Sequence, residues 1–245
     1  MLIIIFSILI GAVIGSFLNV VIYRLPKALC GEEISLSFPA SFCPVCLHPL
    51  RWRHNVPVLG WLLLKGKCAD CRSAISPSYP LIEALMAALF GWVVWQHGPG
   101  VDAAIILFAL CLLVPLACID ANTMLLPDRL MYPLLVVGLG VALAGKGRID
   151  WQDACLAAAL GYAVPWTISK IFYLLKKREG LGGGDIKLFA ALGAWMGYTQ
   201  LWNIMITSCV LALLSGLILL KVRPNQAFPF GPYPIIVTIL ILLIN

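Results

Sequence analysis

From Leu2 to Tyr23 the chain runs twenty-two residues without a charge, the length of apolar helix needed to cross a hydrocarbon core about 30 Å thick. Seven more apolar stretches follow: Leu81 to Trp95, Ala103 to Ile119, Leu130 to Ala144, Cys155 to Leu174, Ile186 to Tyr198, Leu201 to Leu220 and Tyr233 to Ile244. A chain of 245 residues that is 62% hydrophobic and 11% charged, with mean hydropathy +0.98, spends most of its length in lipid. A large soluble catalytic domain is excluded. The stretches lack the ten-residue alternation of an outer-membrane barrel, so their backbone polar groups must be satisfied within helices. The expected fold is an all-α polytopic membrane protein with about eight transmembrane helices.

Crossings alternate the side of each connection, and the charges sort accordingly. Arg24, Lys27, Arg51, Arg53, Lys65, Lys67, Arg72, Arg129, Lys176, Lys177, Arg178, Lys187, Lys221 and Arg223 fall on one side, 14 of the 17 basic residues. Lys146 and Arg148 fall on the other, and Lys170 lies near the inner end of a span. The positive-inside rule makes the first side cytoplasmic and places both termini outside. The net charge of +6 is thereby explained by topology, and no nucleic-acid partner is needed to account for it. Met1 to Leu18 lacks the basic start of a cleavable signal and reads as a retained first span.

The one sustained drop in hydropathy, Arg24 to Pro80, divides the chain into a first helix (1–23), an extramembrane module (24–80) and a helical bundle (81–245). The module carries Cys43-Pro-Val-Cys46 and Cys68-Ala-Asp-Cys71, two CxxC pairs twenty-one residues apart. On the reducing side of a membrane such pairs point to a closed, structural four-cysteine zinc site rather than to disulfides. Some fifty residues bury little core, so the metal would supply folding energy. His48 and His54 flank the second cysteine as alternative ligands. Cys30, Cys111, Cys118, Cys155 and Cys209 have no ligand spacing.

Ionisable groups at membrane depth are expensive and are candidates for function. Asp120 directly follows the third apolar stretch, and Asp185 closes the run GLGGGD at the start of the sixth. Both are expected on the cytoplasmic side at similar depth. Two carboxylates within reach of each other can share one proton, the ionised group activating water while its partner donates to a carbonyl. Neither is assigned here as base or acid. Two readings of Asp120 and Asp185 stand at this stage, this pair and helix-boundary caps. The glycine loop Gly182, Gly183 and Gly184 leaves room for an extended substrate beside Asp185. Asp128, in Leu-Pro-Asp-Arg, reads as a helix cap, and Glu83 as a charge that snorkels or pairs with a basic residue.

Taken in order, GSFLNVVIYRLP (15–26), CPVCLHPLRWRHNVPVLGW (43–61), KGKCADC (65–71), SPSYPLIE (76–83), IDANTMLLPD (119–128), GLGGGDIK (180–187) and FPFGPY (228–233) resemble the type IV prepilin peptidases over nearly the whole chain. That resemblance implies a GxGD-type intramembrane aspartic peptidase of the bacterial inner membrane with Asp120 and Asp185 as its catalytic pair. It implies cleavage of the leader of prepilins or pseudopilins at the cytoplasmic face. It further implies N-methylation of the new amino terminus with S-adenosylmethionine, associated with the cysteine module, and Gly66 and Lys67 beside Cys68 are the candidates for that activity. Lys67 reads equally well as a solvated charge. No GxGxxG and no segment long enough for a Rossmann sheet accompanies this. The competing readings are a transporter, which needs its carboxylates near the midplane, and a non-catalytic zinc-containing scaffold of a pilus or secretion system.

Overall fold

The computed structural model describes residues 1–32, 34–36, 38, 40–178, 180–219 and 228–244. Lys221 and Arg223, and the start of the polar segment before Phe228, lie outside them. The described elements are α1 (Leu2–Leu29), a 3-10 turn (Trp52–Asn55), α2 (Leu59–Leu63), α3 (Ser78–His97), α4 (Val101–Thr123), α5 (Asp128–Leu143), α6 (Trp151–Lys176), α7 (Gly183–Leu214) running into a π turn (Ser215–Leu219), and α8 (Pro232–Ile244). Among the described residues there are no strands, only two isolated bridges.

Among the described residues five helices are long and apolar enough to cross a membrane: α1, α3, α4, α6 and α7 with its following turn. Eight apolar stretches become five such helices for definite reasons. α5 has 16 residues and α8 has 13, short of the roughly 20 that a crossing takes. The sixth and seventh stretches belong to one element, α7, whose 32 residues would span about 48 Å at 1.5 Å per residue. It is not straight: Gly197, at φ 74° and ψ 170°, breaks it in a conformation that a residue with a Cβ resists. Asp153 Oδ1, in the first turn of α6, accepts the Tyr198 N–H freed by the break at 3.0 Å. The break thus falls where hydropathy separates Ile186–Tyr198 from Leu201–Leu220, with a single residue in place of a loop.

The chain divides into two compact units, Met1–Cys111 and Leu112–Asn245. In the first, α1 and α3 pack antiparallel at backbone contact distance. A Cβ on Gly11 would lie 2.6 Å from the Met86 carbonyl oxygen, and one on Gly15 would lie 2.8 Å from Glu83 Cα. This is the small-residue packing that brings helices together in lipid, where dispersion and polar contacts replace the hydrophobic effect. One turn further, Asn19 Nδ2 donates to the Tyr79 carbonyl at 3.1 Å. Buried Arg24 ends this contact and gathers the following chain: its guanidinium donates to the carbonyls of Ser35 (3.0 Å) and Ala40 (3.4 Å) and lies 5.9 Å from the Phe42 ring centre.

In the second unit α7 is the central post. Gly161 of α6 sits against the Phe189 carbonyl, and Gly193 of α7 against the Ala157 carbonyl. On its other flank Trp195 Nε1 crosses Gly138 to donate to the Leu134 carbonyl of α5 at 2.7 Å. Leu188, Leu192, Leu201 and Ile204 are fully buried along it.

Candidate active site

Asp120 lies in the last turn of α4 and is 4% exposed. The helix ends just beyond it, where Met124, at φ 54°, donates its N–H to the Asp120 carbonyl at 2.8 Å. The side chain is held separately: Oδ2 accepts the Gly231 N–H at 2.8 Å. Gly231 belongs to the segment before α8, which is packed by rings. Phe230 lies 6.0 Å from Phe189 and 6.5 Å from Tyr233, Phe228 lies 6.2 Å from Tyr233, and the Tyr233 hydroxyl contacts Ser215 Oγ.

Asp185 stands in the first turn of α7. Its Oδ1 is buried without a hydrogen-bond partner among the described residues, which is costly for a carboxylate unless a proton, a water or a substrate group meets it. The charge of Asp120 reaches it. The structure therefore places the two expected carboxylates in one unit, at the end of one helix and the start of another, within reach of each other's charge.

The glycine loop acquires a residue-by-residue reason. A Cβ on Gly182 would come within 3.1 Å of Asp185 Oδ2, and one on Gly184 within 3.0 Å of Leu126 Cβ, whereas one on Gly183 would meet nothing within 4 Å. The first and third glycines are closed by Asp185 and by the loop that follows Asp120, and the middle one is open. That is the pattern GxGD, written by contact. Gly231 is tighter still, since its Cβ would lie 2.8 Å from Asp120 Oδ2.

Two other acids differ from expectation. Asp128 does not cap α5, whose N-cap is Pro127. Its two carboxylate oxygens instead receive Lys187 Nζ at 2.8 and 2.9 Å, and Lys187 also lies 5.6 Å from the Tyr132 ring centre. Glu83 is buried and accepts the Val58 N–H at 2.6 Å, so a backbone donor and not the membrane surface holds it.

The four cysteines of the first unit converge as their spacing predicts. Their sulfurs all lie within 4.8 Å of one another, and neither His48 nor His54 joins them. The two pairs are built alike. Cys43 donates its N–H to the His48 carbonyl and Cys68 to the Ser73 carbonyl, and Leu47 and Arg72, each just after the second cysteine, turn at φ 59° and 61°. The Cys46 N–H, helped by Val45 and Ser73, pulls the Cys43 thiol down to about 6. The Ser73 hydroxyl and N–H lower Cys71. For Cys46 the His48 N–H acts in the same direction, but burial and the neighbouring sulfurs outweigh it and push the thiol up to about 12. The cluster can hold a metal ion. Gly66, beside it, turns at φ 69° under the Trp61 ring, 2.8 Å from the position of a Cβ, which gives that glycine a packing role. Lys67 is exposed and forms a bridge with Ala74.

A helical membrane protein with one buried aspartate at a helix end and a second, half-buried one behind a GxGD loop is the class that fold and site define. Residues 105–217 match the type IV leader peptidase family and residues 9–97 the bacterial peptidase A24 N-terminal domain. Curated relatives called prepilin leader peptidase/N-methyltransferase include those of Neisseria gonorrhoeae (39% identical, 91% of this chain and 84% of the relative), Klebsiella pneumoniae (47%, covering 80% and 86%) and Pseudomonas putida (40%, covering 91% and 84%). The chain belongs to the type IV leader peptidase family. No solved structure matches it.

Proposed function

We propose that this protein is a membrane-embedded aspartic endopeptidase that removes the leader of type IV prepilins or pseudopilins and N-methylates the amino terminus it exposes. The observation that carries the reading is that Asp120 and Asp185 lie in one unit within reach of each other's charge, each packed against a glycine whose Cβ would crowd it. A non-catalytic scaffold has no use for that arrangement. In the peptidase step one ionised carboxylate takes a proton from water as the oxygen bonds to the scissile carbonyl carbon, and the protonated partner donates to the carbonyl oxygen. Collapse of that adduct moves a proton to the amide nitrogen, breaks the C–N bond and leaves a leader carboxylate and a free amine. No covalent enzyme intermediate forms. A basic leader in the cytosol and an apolar helix in lipid put the scissile bond at the interface, so depth does part of the positioning.

The remaining parts of the reading follow the charges and the sulfurs. We place 1–23 as a first helix, 24–80 as a cytoplasmic module and 81–245 as the peptidase bundle, with both aspartates on the cytoplasmic side of a bacterial inner membrane. About eight crossings are reached if α5, α8 and the two halves of α7 each cross, their shortness met by local thinning of the bilayer and snorkelling of flanking residues. Zinc suits the module: Zn–S bonds of about 2.3 Å set tetrahedral sulfurs about 3.8 Å apart, and Cys43 and Cys71 are 3.8 Å apart. Held by Cys43, Cys46, Cys68 and Cys71, the metal would fix the fold of the module and take no part in cleavage. S-adenosylmethionine supplies the methyl group for the second reaction, with Gly66 and Lys67 as candidate residues. Asp120→Asn and Asp185→Asn should each abolish leader removal while protein level and metal content stay unchanged; cleavage retained by either variant refutes the paired mechanism.

A further inference from the structure

Outside the spanning helices, α2 is built with its apolar face outward. Gly60 is buried against the His54 carbonyl, and Trp61 lies over Gly66 while its indole donates to the Ile75 carbonyl at 3.1 Å. That side belongs to the module. Leu59, Leu62 and Leu63, spaced i, i+3 and i+4 on the other side, are 57%, 55% and 75% exposed. Exposed apolar side chains are costly in water, so three on one face of a single turn call for a covering.

The hydrogen bond of Glu83 fixes the depth of this turn. Val58, the residue before α2, donates to Glu83 at 2.6 Å. Glu83 lies five residues past Ser78, the first residue of the candidate spanning helix α3, or about 7.5 Å along it at 1.5 Å per residue. α2 therefore begins level with the second turn of a membrane helix and not beyond its end. Its flanks are cationic: Arg51 and Arg53 precede it, Lys65 and Lys67 follow, all four are exposed, and no acidic residue lies between 51 and 67.

We propose that α2 is a lipid anchor: Leu59, Leu62 and Leu63 enter the boundary between headgroups and acyl chains, and Arg51, Arg53, Lys65 and Lys67 meet anionic headgroups. Leucines beside cations at interfacial depth are the chemistry of monotopic anchors, in which apolar burial and attraction to anionic lipid add. The anchor keeps the four-cysteine module pressed to the membrane instead of swinging from its two tethers. The inference rests on the first unit alone and is independent of the peptidase reading.

The test uses the full chain in vesicles of phosphatidylcholine with or without phosphatidylglycerol, with an environment-sensitive fluorescent amino acid at Leu63, at Leu59 or at exposed Asp70. At positions 59 and 63 a lipid carrying a quencher near the headgroup end of its acyl chain should quench strongly. Iodide should quench there several-fold less than at position 70, and phosphatidylglycerol should widen the difference. Replacing Arg51, Arg53, Lys65 and Lys67 by Gln should remove that phosphatidylglycerol effect. Iodide quenching at 59 and 63 as strong as at 70, with the lipid quencher silent, overturns the proposal and points to a protein partner for this face. No effect of phosphatidylglycerol on the unsubstituted chain overturns the headgroup part.

Discussion

Gly231→Ala exerts its effect at one atom. The new methyl would lie 2.8 Å from Asp120 Oδ2 and 3.0 Å from Cγ, where ordinary contact begins at 3.4 Å. The carboxylate must retreat by about 0.6 Å, and in doing so it lengthens the 2.8 Å bond it accepts from the Gly231 N–H. A hydrogen bond to a charged group is worth about 1.5–3 kcal/mol, and each 1.36 kcal/mol is tenfold in rate. If that interaction is realised in the transition state, kcat for leader cleavage should fall roughly 10- to 150-fold, in line with the cost of sub-ångström misplacement of a catalytic group. KM should change little, because the displaced carboxylate acts on the chemical step. The assay is steady-state cleavage of a purified prepilin in detergent or nanodiscs, with thermal unfolding alongside. Gly140→Ala, in α5 and outside the glycine loop, is the internal control, since its methyl meets nothing within 4 Å. Cleavage by Gly231→Ala at the unsubstituted rate, in a protein that melts normally, would refute the idea that this backbone donor sets the position of Asp120.

The same geometry ranks the loop: Gly184→Ala, crowded by Leu126 at 3.0 Å, should lose more cleavage activity than Gly183→Ala, and the reverse order in parallel kinetics would contradict it. The Lys187–Asp128 pair is partly exposed, at 39% and 49%, so Asp128→Asn should cost no more than about 1 kcal/mol of stability by the usual worth of such pairs, read by thermal unfolding, with partial recovery on exchanging the two residues. Cys46→Ser should abolish metal binding, seen by elemental analysis, and open the module to proteolysis while the transmembrane helices persist in circular dichroism. Metal affinity of the cluster should rise with pH, because the Cys46 thiol, pushed up to about 12, must lose its proton to bind. The dependence should steepen below about pH 6, where Cys43 also becomes protonated; a flat profile in a chelator competition would count against these thiol assignments.

What was legible in the sequence was whatever local spacing or an isolated charge specifies. Two CxxC pairs announce a cluster because a metal site needs four sulfurs and two short turns supply two each. Asp120 and Asp185 stand out because a carboxylate at the edge of an apolar run is costly unless it caps a helix or serves the chemistry. Pairings across long separations were not legible. Nothing near Asp120 marks Gly231, 111 residues away, although FPFGPY was a recognisable segment. Glu83 reads as a charge that snorkels or pairs with a basic residue because its actual partner is a backbone N–H, which every residue except proline carries. Asp128 looked like a cap because Asp before a helix commonly is one; its alternative, Lys187, enters only when α5 packs on α7. The division into helices was legible only in part for a related reason: hydropathy finds where Gly197 divides two apolar runs but does not reveal that both runs belong to one element, α7. The outward leucines of α2 are invisible by composition, since the same residues facing inward would read identically.

The central claim is that Asp120 and Asp185 act together on one peptide bond. The most direct measurement incubates purified protein, Asp120→Asn and Asp185→Asn with a prepilin and S-adenosylmethionine and reads the product's amino terminus by mass spectrometry. The expected result is a trimmed, methylated product from the unsubstituted protein and intact prepilin from both variants at normal metal content. Trimming by either variant, or an untrimmed substrate with the unsubstituted protein while an active relative cleaves it, would contradict the claim.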